Sequence, residues 1–266
     1  MFRRILAITG LSLVILLAAG YLVVAERMTR QHQERQVCQH IDITIADSLE
    51  HQFVSRQDVT NYLRLLPEPL IGKHISQVDL HQLETLLESQ GAINHANAAI
   101  DCSGNLSIRI HQRQPIARWL TQQSSFYIDS DEFCFPWSSQ FTAHVPIITG
   151  PLPIRLDPGY RGILNSSNNR QMEGIIQVIQ YIHEHPFWEA QIQEIHVEEN
   201  GNLLLFTRVG DQIIRFGKPE AIATKFRKLL SFYKEIVPLD GWNAYSEVDL
   251  RFQDQIVCTR KKQKKR

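Results

Sequence analysis

Ser231 is the residue whose type and spacing most resemble a catalytic motif. It stands three residues before Lys234, and Ser-x-x-Lys opens the active-site helix of penicillin-binding acyl transferases. Those enzymes also need a later Ser-x-Asn and a Lys-Thr-Gly strand. Here every Ser-x-Asn, including Ser166 to Asn168, precedes Ser231, and Lys-Thr-Gly does not occur. We therefore expect no catalytic residue and keep an anchored cell-wall acyl transferase that uses Ser231 and Lys234 as one alternative.

The sequence contains histidines and aspartates, which can bind metals, but their spacing does not match that of a metal site. His183 and His185 stand two residues apart, so on a helix they point to different sides. Asp129-Ser130-Asp131 begins like a calcium loop but lacks the later glycine and the bidentate glutamate. We expect a hairpin turn at 129–131 and neither a metal nor a cofactor.

The four cysteines allow disulfides but do not select any. An oxidising compartment would permit three complete pairings, and no spacing favours one of them. Buried thiols that pack as small apolar side chains are the alternative. The cysteines are Cys38, Cys102, Cys134 and Cys258.

Charge is segregated along the chain. The sequence has 28 basic and 28 acidic residues, but seven of the basic ones lie at its two ends. The remainder is therefore acidic, which argues against nucleic acid as a partner, because duplex binding needs a basic face to neutralise phosphates. The last six residues, 261–266, form a basic tail.

An uncharged stretch near the start, 5–25, is long enough to cross a membrane. At ~1.5 Å per residue it spans a hydrocarbon core of ~30 Å, so we predict a single transmembrane helix, with a cleaved signal peptide as the competing interpretation. Arg3 and Arg4 precede it, and basic residues stay on the cytoplasmic side. We expect a cytoplasmic start and transmembrane helix at 1–25 and an extracytoplasmic polar stalk at 26–37.

Folding is predicted to begin after the stalk with strand, helix, helix, strand, strand. Alternation over 41–45 predicts a strand. Ser55 with Asp58 resembles a capping box and starts a helix that should stop at Pro67, and Asp79 caps a second helix. Two strands then flank a turn at 103–105.

After Pro115 strands dominate. A helical stripe runs from Met172 to an end at Pro186, and Asn200-Gly201 is a strong hairpin signal. Pro219 is predicted to open another helix. The chain then closes with two strands, 248–252 and 256–259, and the second has no later strand to pair with its far side.

Motifs spread over the chain after the predicted span resemble, in order, the bacterial cell-division family FtsQ/DivIB, most closely the Bacteroidota type. One departure is a turn of Ser130, Asp131 and Glu132 where the family usually has a glycine. The motifs are FVSRQDV at 53–59, IGKHISQVDLHQLETLLE at 71–88, LSIRIHQRQPIARW at 106–119, FYIDSDEFCFP at 126–136, VPIITG at 145–150, RFGKPEAIATKFRKLLSFYK at 215–234 and YSEVDLRFQDQIVCTR at 245–260.

The resemblance implies an α+β fold: a POTRA domain of β-α-α-β-β order at 38–114 and a strand-rich FtsQ β domain with two or more helices at 115–260. It implies a non-enzymatic inner-membrane protein of the division septum, single-pass and type II, with its bulk in the periplasm. Its partners would be FtsB and FtsL, and it would help recruit and regulate the septal peptidoglycan synthase. A POTRA-type chaperone module for envelope protein assembly is the other alternative.

The resemblance also implies that the last strand is an open edge that receives a strand of FtsB. Arg251 would form a charged pair with an acidic residue of the partner. A weaker contact is expected at Arg56 and Gln57 of the POTRA domain. The predicted edge-strand residues are Arg251, Phe252, Gln255, Ile256, Val257, Cys258 and Thr259.

Overall fold

The computed structural model describes most of the chain after the predicted stalk, in two compact units. The first unit contains residues 37–48 and 54–112, and the second contains Gln52, Phe53 and the residues from Arg113 onward. No helix among the described residues is long and apolar enough to cross a membrane, and the predicted span lies outside them except for Gly20 and Tyr21. The described residues are 20–21, 37–48, 52–101, 103–121, 125–151, 153–154, 156–157 and 159–261.

The first unit has the predicted order of strand, helix, helix, strand, strand. Its strands form a three-stranded sheet of order β1-β3-β2, in which β3 is parallel to β1 and antiparallel to β2. The elements are β1 (His40–Ile45), α1 (Arg56–Leu63), α2 (Leu80–Glu88), β2 (Ile93–Ile100) and β3 (Asn105–Gln112).

Side chains at the helix starts form the predicted caps. Ser55 and Asp58 form a capping box at α1, and the Asp79 carboxylate accepts a hydrogen bond from the backbone N–H of Gln82 at α2. The prediction that the first helix stops at Pro67 was wrong, because α1 ends at Leu63. Between the helix and Pro67 the chain tightens into turns, because the N–H groups of Arg64, Leu65 and Leu66 donate to carbonyls three residues back.

The second unit is built on a ten-stranded sheet. Its order is β13-β12-β11-β10-β9-β7-β4-β5-β6-β8, so the last strand of the chain is the outermost strand on one side. The strands are β4 (Pro115–Leu120), β5 (Ser125–Asp129), β6 (Phe133–Pro136), β7 (Ile147–Thr149), β8 (Gly162–Ile163), β9 (Ile192–Val197), β10 (Leu203–Thr207), β11 (Ile213–Gly217), β12 (Tyr245–Asp249) and β13 (Val257–Arg260).

Two prolines occupy places other than those predicted. The helix at Met172 ends at His183, and Pro186 opens the next helix instead of ending this one. Pro219 lies in a turn, and its helix begins at Ile222 after a left-handed Ala221. The helices of this unit are α3 (Arg170–His183), α4 (Pro186–Gln191), α5 (Ile222–Ser231) and α6 (Val237–Asp240), with a π-helical turn at Phe232–Ile236.

One apolar cluster holds the second unit together. Ile175 and Ile179 of α3 and Phe226 of α5 are buried with Trp119 of β4 and Ile195 of β9. Burying a side chain of this size stabilises the fold by about 1.5–3 kcal/mol relative to leaving it exposed. The cluster therefore fixes the sheet on which the last strands lie.

Asp129 organises the turn between β5 and β6, as the hairpin prediction requires. Its carboxylate accepts from the backbone N–H groups of Asp131 and Phe133 and pairs with Arg113 at 2.8 Å. Glu132, the last residue of this turn, has φ +61°, a left-handed conformation unusual for a residue with a side chain. Its carboxylate accepts from the backbone N–H of Ser166, which anchors the turn.

Candidate functional site: the C-terminal edge strand

The last strand, β13, is open on one side. It pairs antiparallel with β12, with Asp249 opposite Val257 and Val248 opposite Cys258. Among the residues that the structure describes, no strand lies on its other side. An edge of this kind presents backbone N–H and C=O groups that can pair with a strand of another chain.

The strand lies one residue later than the predicted 256–259. It contains Val257, Cys258 and Thr259 of the seven predicted edge residues. The prediction of a strand over 248–252 was wrong, because β12 ends at Asp249 and the chain then runs through a connection to β13. Arg251, Phe252, Gln255 and Ile256 lie in that connection, next to the edge but not on it.

Two hydrogen bonds establish which backbone groups of β13 face outward. The N–H of Lys261 donates to the carbonyl of Ala244, and the carbonyl of Thr259 accepts from the Ser246 hydroxyl, so residues 261 and 259 face β12. Backbone groups in a strand alternate between its two sides. The N–H and C=O groups of Cys258 and Arg260 therefore face away from the sheet.

The apolar side chains around the edge divide between its two faces. Val257 is 40% exposed and Phe252 is 44% exposed. Ile256 and Cys258 instead pack against the core of the second unit. The accessible apolar contacts of this region are therefore Phe252 and Val257, and a substitution at Ile256 would disturb the core as well.

Arg251 is engaged within its own chain. Its guanidinium pairs with the Asp249 carboxylate through contacts of 2.6, 2.9 and 3.1 Å, and its backbone N–H donates to the same carboxylate. Gly217, at φ +74°, makes room for the Arg251 stem, since a Cβ there would lie 2.6 Å from the Arg251 Cγ. A charged pair between Arg251 and a partner would have to share or replace this contact.

The buried Asp249 carboxylate is held ionised. Burial alone would raise its pKa, but the hydrogen bonds and charge of Arg251, with the charge of Arg215, outweigh burial and lower the pKa below its ordinary value. The pair thus keeps the end of β12 fixed at neutral pH.

Basic side chains hold the segments on either side of β13. Lys228 of α5 donates to the carbonyls of Leu250 and Phe252 at 3.0 and 2.5 Å. Lys261 pairs with Asp211 at 2.7 Å. The first residue of the predicted basic tail is therefore bound to the second unit, and 262–266 lie outside the described residues.

Arg260 is the other basic anchor. It pairs with Asp240 at 2.9 Å and lies over the Tyr245 ring, and the Tyr245 hydroxyl donates to the same carboxylate. These contacts fix the end of β13, so its outward backbone groups are held in an extended conformation that suits strand pairing.

The weaker predicted contact lies at the start of α1. Arg56 and Gln57 are exposed, and the Gln57 side chain bonds to Asn61. Phe53 belongs to the second unit, where its ring packs edge-on against Tyr127, Phe135 and Phe141. The structure thus gives Phe53 a packing role and leaves Arg56 accessible.

The residues first considered for chemistry have other surroundings. Lys234 is exposed, and within the described residues no hydrogen bond joins it to Ser231. His183 bonds to Glu189, whereas His185 bonds to the Tyr181 carbonyl. No group of acidic, histidine or cysteine residues in the described part of the chain is arranged to hold a metal ion.

Three of the cysteines are free thiols. Cys38 and Cys134 are buried and Cys258 is half-buried, and burial raises the pKa of each thiol. Cys102 lies outside the described residues. The described cysteines therefore pack as apolar side chains.

Sequence reasoning missed one polar cluster, which joins β7 to β9. The Thr149 hydroxyl donates to Glu194 at 2.7 Å and lies 2.8 Å from Nδ1 of His196. Thr149 stands opposite His196 in the parallel pairing, so the cluster stabilises the centre of the sheet. Thr149 stands 45 residues before Glu194 and 47 before His196, too far in sequence for a pattern to reveal this contact.

Comparison with known families identifies both units. The family model described as FtsQ/DivIB, C-terminal related, matches residues 114–259, and a POTRA-like domain matches residues 36–111. Comparison with curated proteins finds no match. Both are families of non-catalytic scaffold domains, and the first supports a role in cell division. Because that match covers more than half of the sequence, the chain belongs to the FtsQ/DivIB family.

Proposed function

We propose that this protein is a bitopic divisome component that binds the FtsB/FtsL pair by strand addition at β13. Through that contact it helps recruit and regulate septal peptidoglycan synthesis. The observation that carries the proposal is the position of β13, the outermost strand of the sheet in the domain that matches the family.

Strand addition suits this edge on physical grounds. A partner strand would accept from and donate to the outward backbone groups of Cys258 and Arg260, and main-chain hydrogen bonds supply affinity in this mode of recognition. Exposed Val257 and Phe252 add apolar contact on the flanks. The anchors at Arg260 and Lys261 lower the entropy lost on binding because the strand is already ordered.

The proposal includes the topology expected from the sequence. Residues 5–25 anchor the protein in the inner membrane, the N-terminus lies in the cytoplasm, and both units lie in the periplasm at the division septum. Arg56 and Gln57 are a second, weaker contact for other division proteins, supported by their exposure at the start of α1.

Co-purification from membranes tests the proposal. A chain ending at Ile256 lacks β13, whereas a matched control ending at Lys261 keeps β13 and its anchors and lacks only the end of the basic tail. We expect FtsB and FtsL to co-purify with the full-length chain and the control but not with the shorter chain. Equal recovery with all three would contradict strand addition at β13.

A further inference from the structure

The first unit has an edge strand that its own helix covers. β2 is the outermost strand on one side of the three-stranded sheet. The Glu84 carboxylate accepts from the backbone N–H of Ala98 at 2.8 Å, and the Glu88 carboxylate accepts from that of Ala96 at 3.1 Å. Two N–H groups of the strand, on alternate residues, are therefore bonded to side chains.

These two N–H groups are the ones that a further strand would need. Ala96 and Ala98 are two residues apart, so their backbone groups face the same side, and the carboxylates reach that side from α2. Asn97, between them, stands opposite Arg109 in the pairing with β3. The carboxylates thus stand where the carbonyl groups of a neighbouring strand would lie.

The spacing of the helix matches that of the strand. Residues four apart on a helix are separated by about 6 Å along its axis, and residues two apart on a strand by about 6.8 Å. Glu84 and Glu88 therefore reach Ala98 and Ala96 together. Ala96 is buried and small, which lets α2 lie close to the strand.

Glu88 is held in place by a further contact. The same carboxylate oxygen that accepts from Ala96 lies 2.8 Å from Nδ1 of His95. Both glutamates are half-buried, so water competes less for their bonds than at a fully exposed site.

We propose that Glu84 and Glu88 close the outer edge of β2 to strand pairing, and that without them this edge pairs with β2 of a second copy of the chain. A strand can pair antiparallel with its own copy about a twofold axis, which makes a closed dimer. Natural sheets prevent such pairing at an edge by several devices, and one of them is to cover the edge with a helix or loop. The proposal is independent of what binds β13.

The test uses the full-length chain purified in detergent, with both glutamates replaced by alanine (E84A/E88A). Alanine is the best helix former, so α2 is expected to remain folded. Amide hydrogen exchange over 93–100 should become about tenfold faster or more, since each lost bond is to a charged group. Light scattering should show a dimer at concentrations where the unmodified chain is monomeric.

Two matched variants separate the causes. E199A/E235A removes two exposed carboxylates outside α2. Its amide hydrogen exchange and its mass in light scattering should match those of the unmodified chain. E84Q/E88Q keeps oxygen acceptors without the charge and should remain monomeric with slow exchange.

Three results would overturn the proposal. Two of them are unchanged amide exchange in E84A/E88A and a monomeric E84A/E88A. The third is amide exchange in E84Q/E88Q as fast as in the alanine variant, since the charge and not the acceptor oxygens would then account for the closure.

Discussion

The outer strand β2 of the first sheet and the outer strand β13 of the second are alike in pairing and differ in what faces them. Each is antiparallel to its one neighbour among the described strands. At β2, carboxylates of α2 bond to the outward N–H groups. At β13, Lys228 of α5 bonds to carbonyls of the preceding connection and leaves the strand itself uncovered. A helix near a sheet can therefore close an edge or merely hold it in place.

The opposite end of the large sheet shows a third arrangement. β8 has two residues, and the carbonyl of Ile163 accepts from the Tyr160 hydroxyl at 3.0 Å. A short edge whose carbonyl is already bonded offers little to a partner strand. Compared with β2 and β8, β13 is the edge best suited to pairing.

The largest expected effect comes from removing an outward N–H of β13. Cys258→Pro takes away a group that β12 does not use, so affinity for FtsB should fall about a hundredfold, the effect of losing one or two backbone hydrogen bonds and of constraining the strand. Calorimetric titration measures the affinity, and Cys258→Ala, which keeps the N–H, should bind almost normally. Full affinity in the proline variant would show that β13 does not pair with the partner.

A proline one residue later should act on stability instead. Thr259→Pro removes an N–H that faces β12, so the free energy of unfolding should fall by about 2 kcal/mol. Urea denaturation measures this loss. Cys258→Pro serves as the control because it keeps every hydrogen bond between β12 and β13 and loses only the packing of the Cys258 side chain. Equal destabilisation by both prolines would contradict the assigned alternation.

Arg251→Met should cost about 1–2 kcal/mol of stability at pH 7, because it leaves the buried Asp249 carboxylate with fewer partners. The lowered pKa of Asp249 sets the pH dependence. The contribution of the pair is present above the ordinary aspartate pKa of about 4 and is lost as pH falls through the folded pKa. Unfolding measured between pH 3 and pH 7 should show the two proteins converging in acid, and a constant difference would contradict this role.

The smallest effect is expected at the connection before β13. Lys228→Met removes the donor to the carbonyls of Leu250 and Phe252, which should cost about 1 kcal/mol in unfolding free energy. Affinity for the partner should change less than threefold, since β13 keeps its anchors at Arg260 and Lys261. The control is Lys234→Met, which removes an exposed lysine from the π-helical turn that follows α5.

Local features of the fold could be predicted from sequence because neighbouring residues decide them. Ser55 with Asp58, Asp79, and the Asn200-Gly201 turn all act within a few residues, and each is present. Among the described strands, the last one lies at the edge of its sheet, as predicted.

Contacts between distant elements could not be predicted in the same way. The alternation of Val248, Leu250 and Phe252 suggested a continuous strand, but β12 ends at Asp249, and Lys228 of α5 bonds to the carbonyls of Leu250 and Phe252. The bonds from β2 to Glu84 and Glu88 depend on how closely α2 approaches the sheet. Its signal in the sequence was a glutamate pair four residues apart followed by small residues in the next strand.

The most direct measurement is amide hydrogen exchange of β13, resolved by residue, in the full-length chain with and without the extracytoplasmic part of FtsB. If the partner adds a strand, exchange at Cys258 and Arg260 should slow about tenfold or more, while Thr259, already bonded to β12, should change little. A complex that forms without slowing exchange at Cys258 and Arg260 would contradict strand addition at this edge.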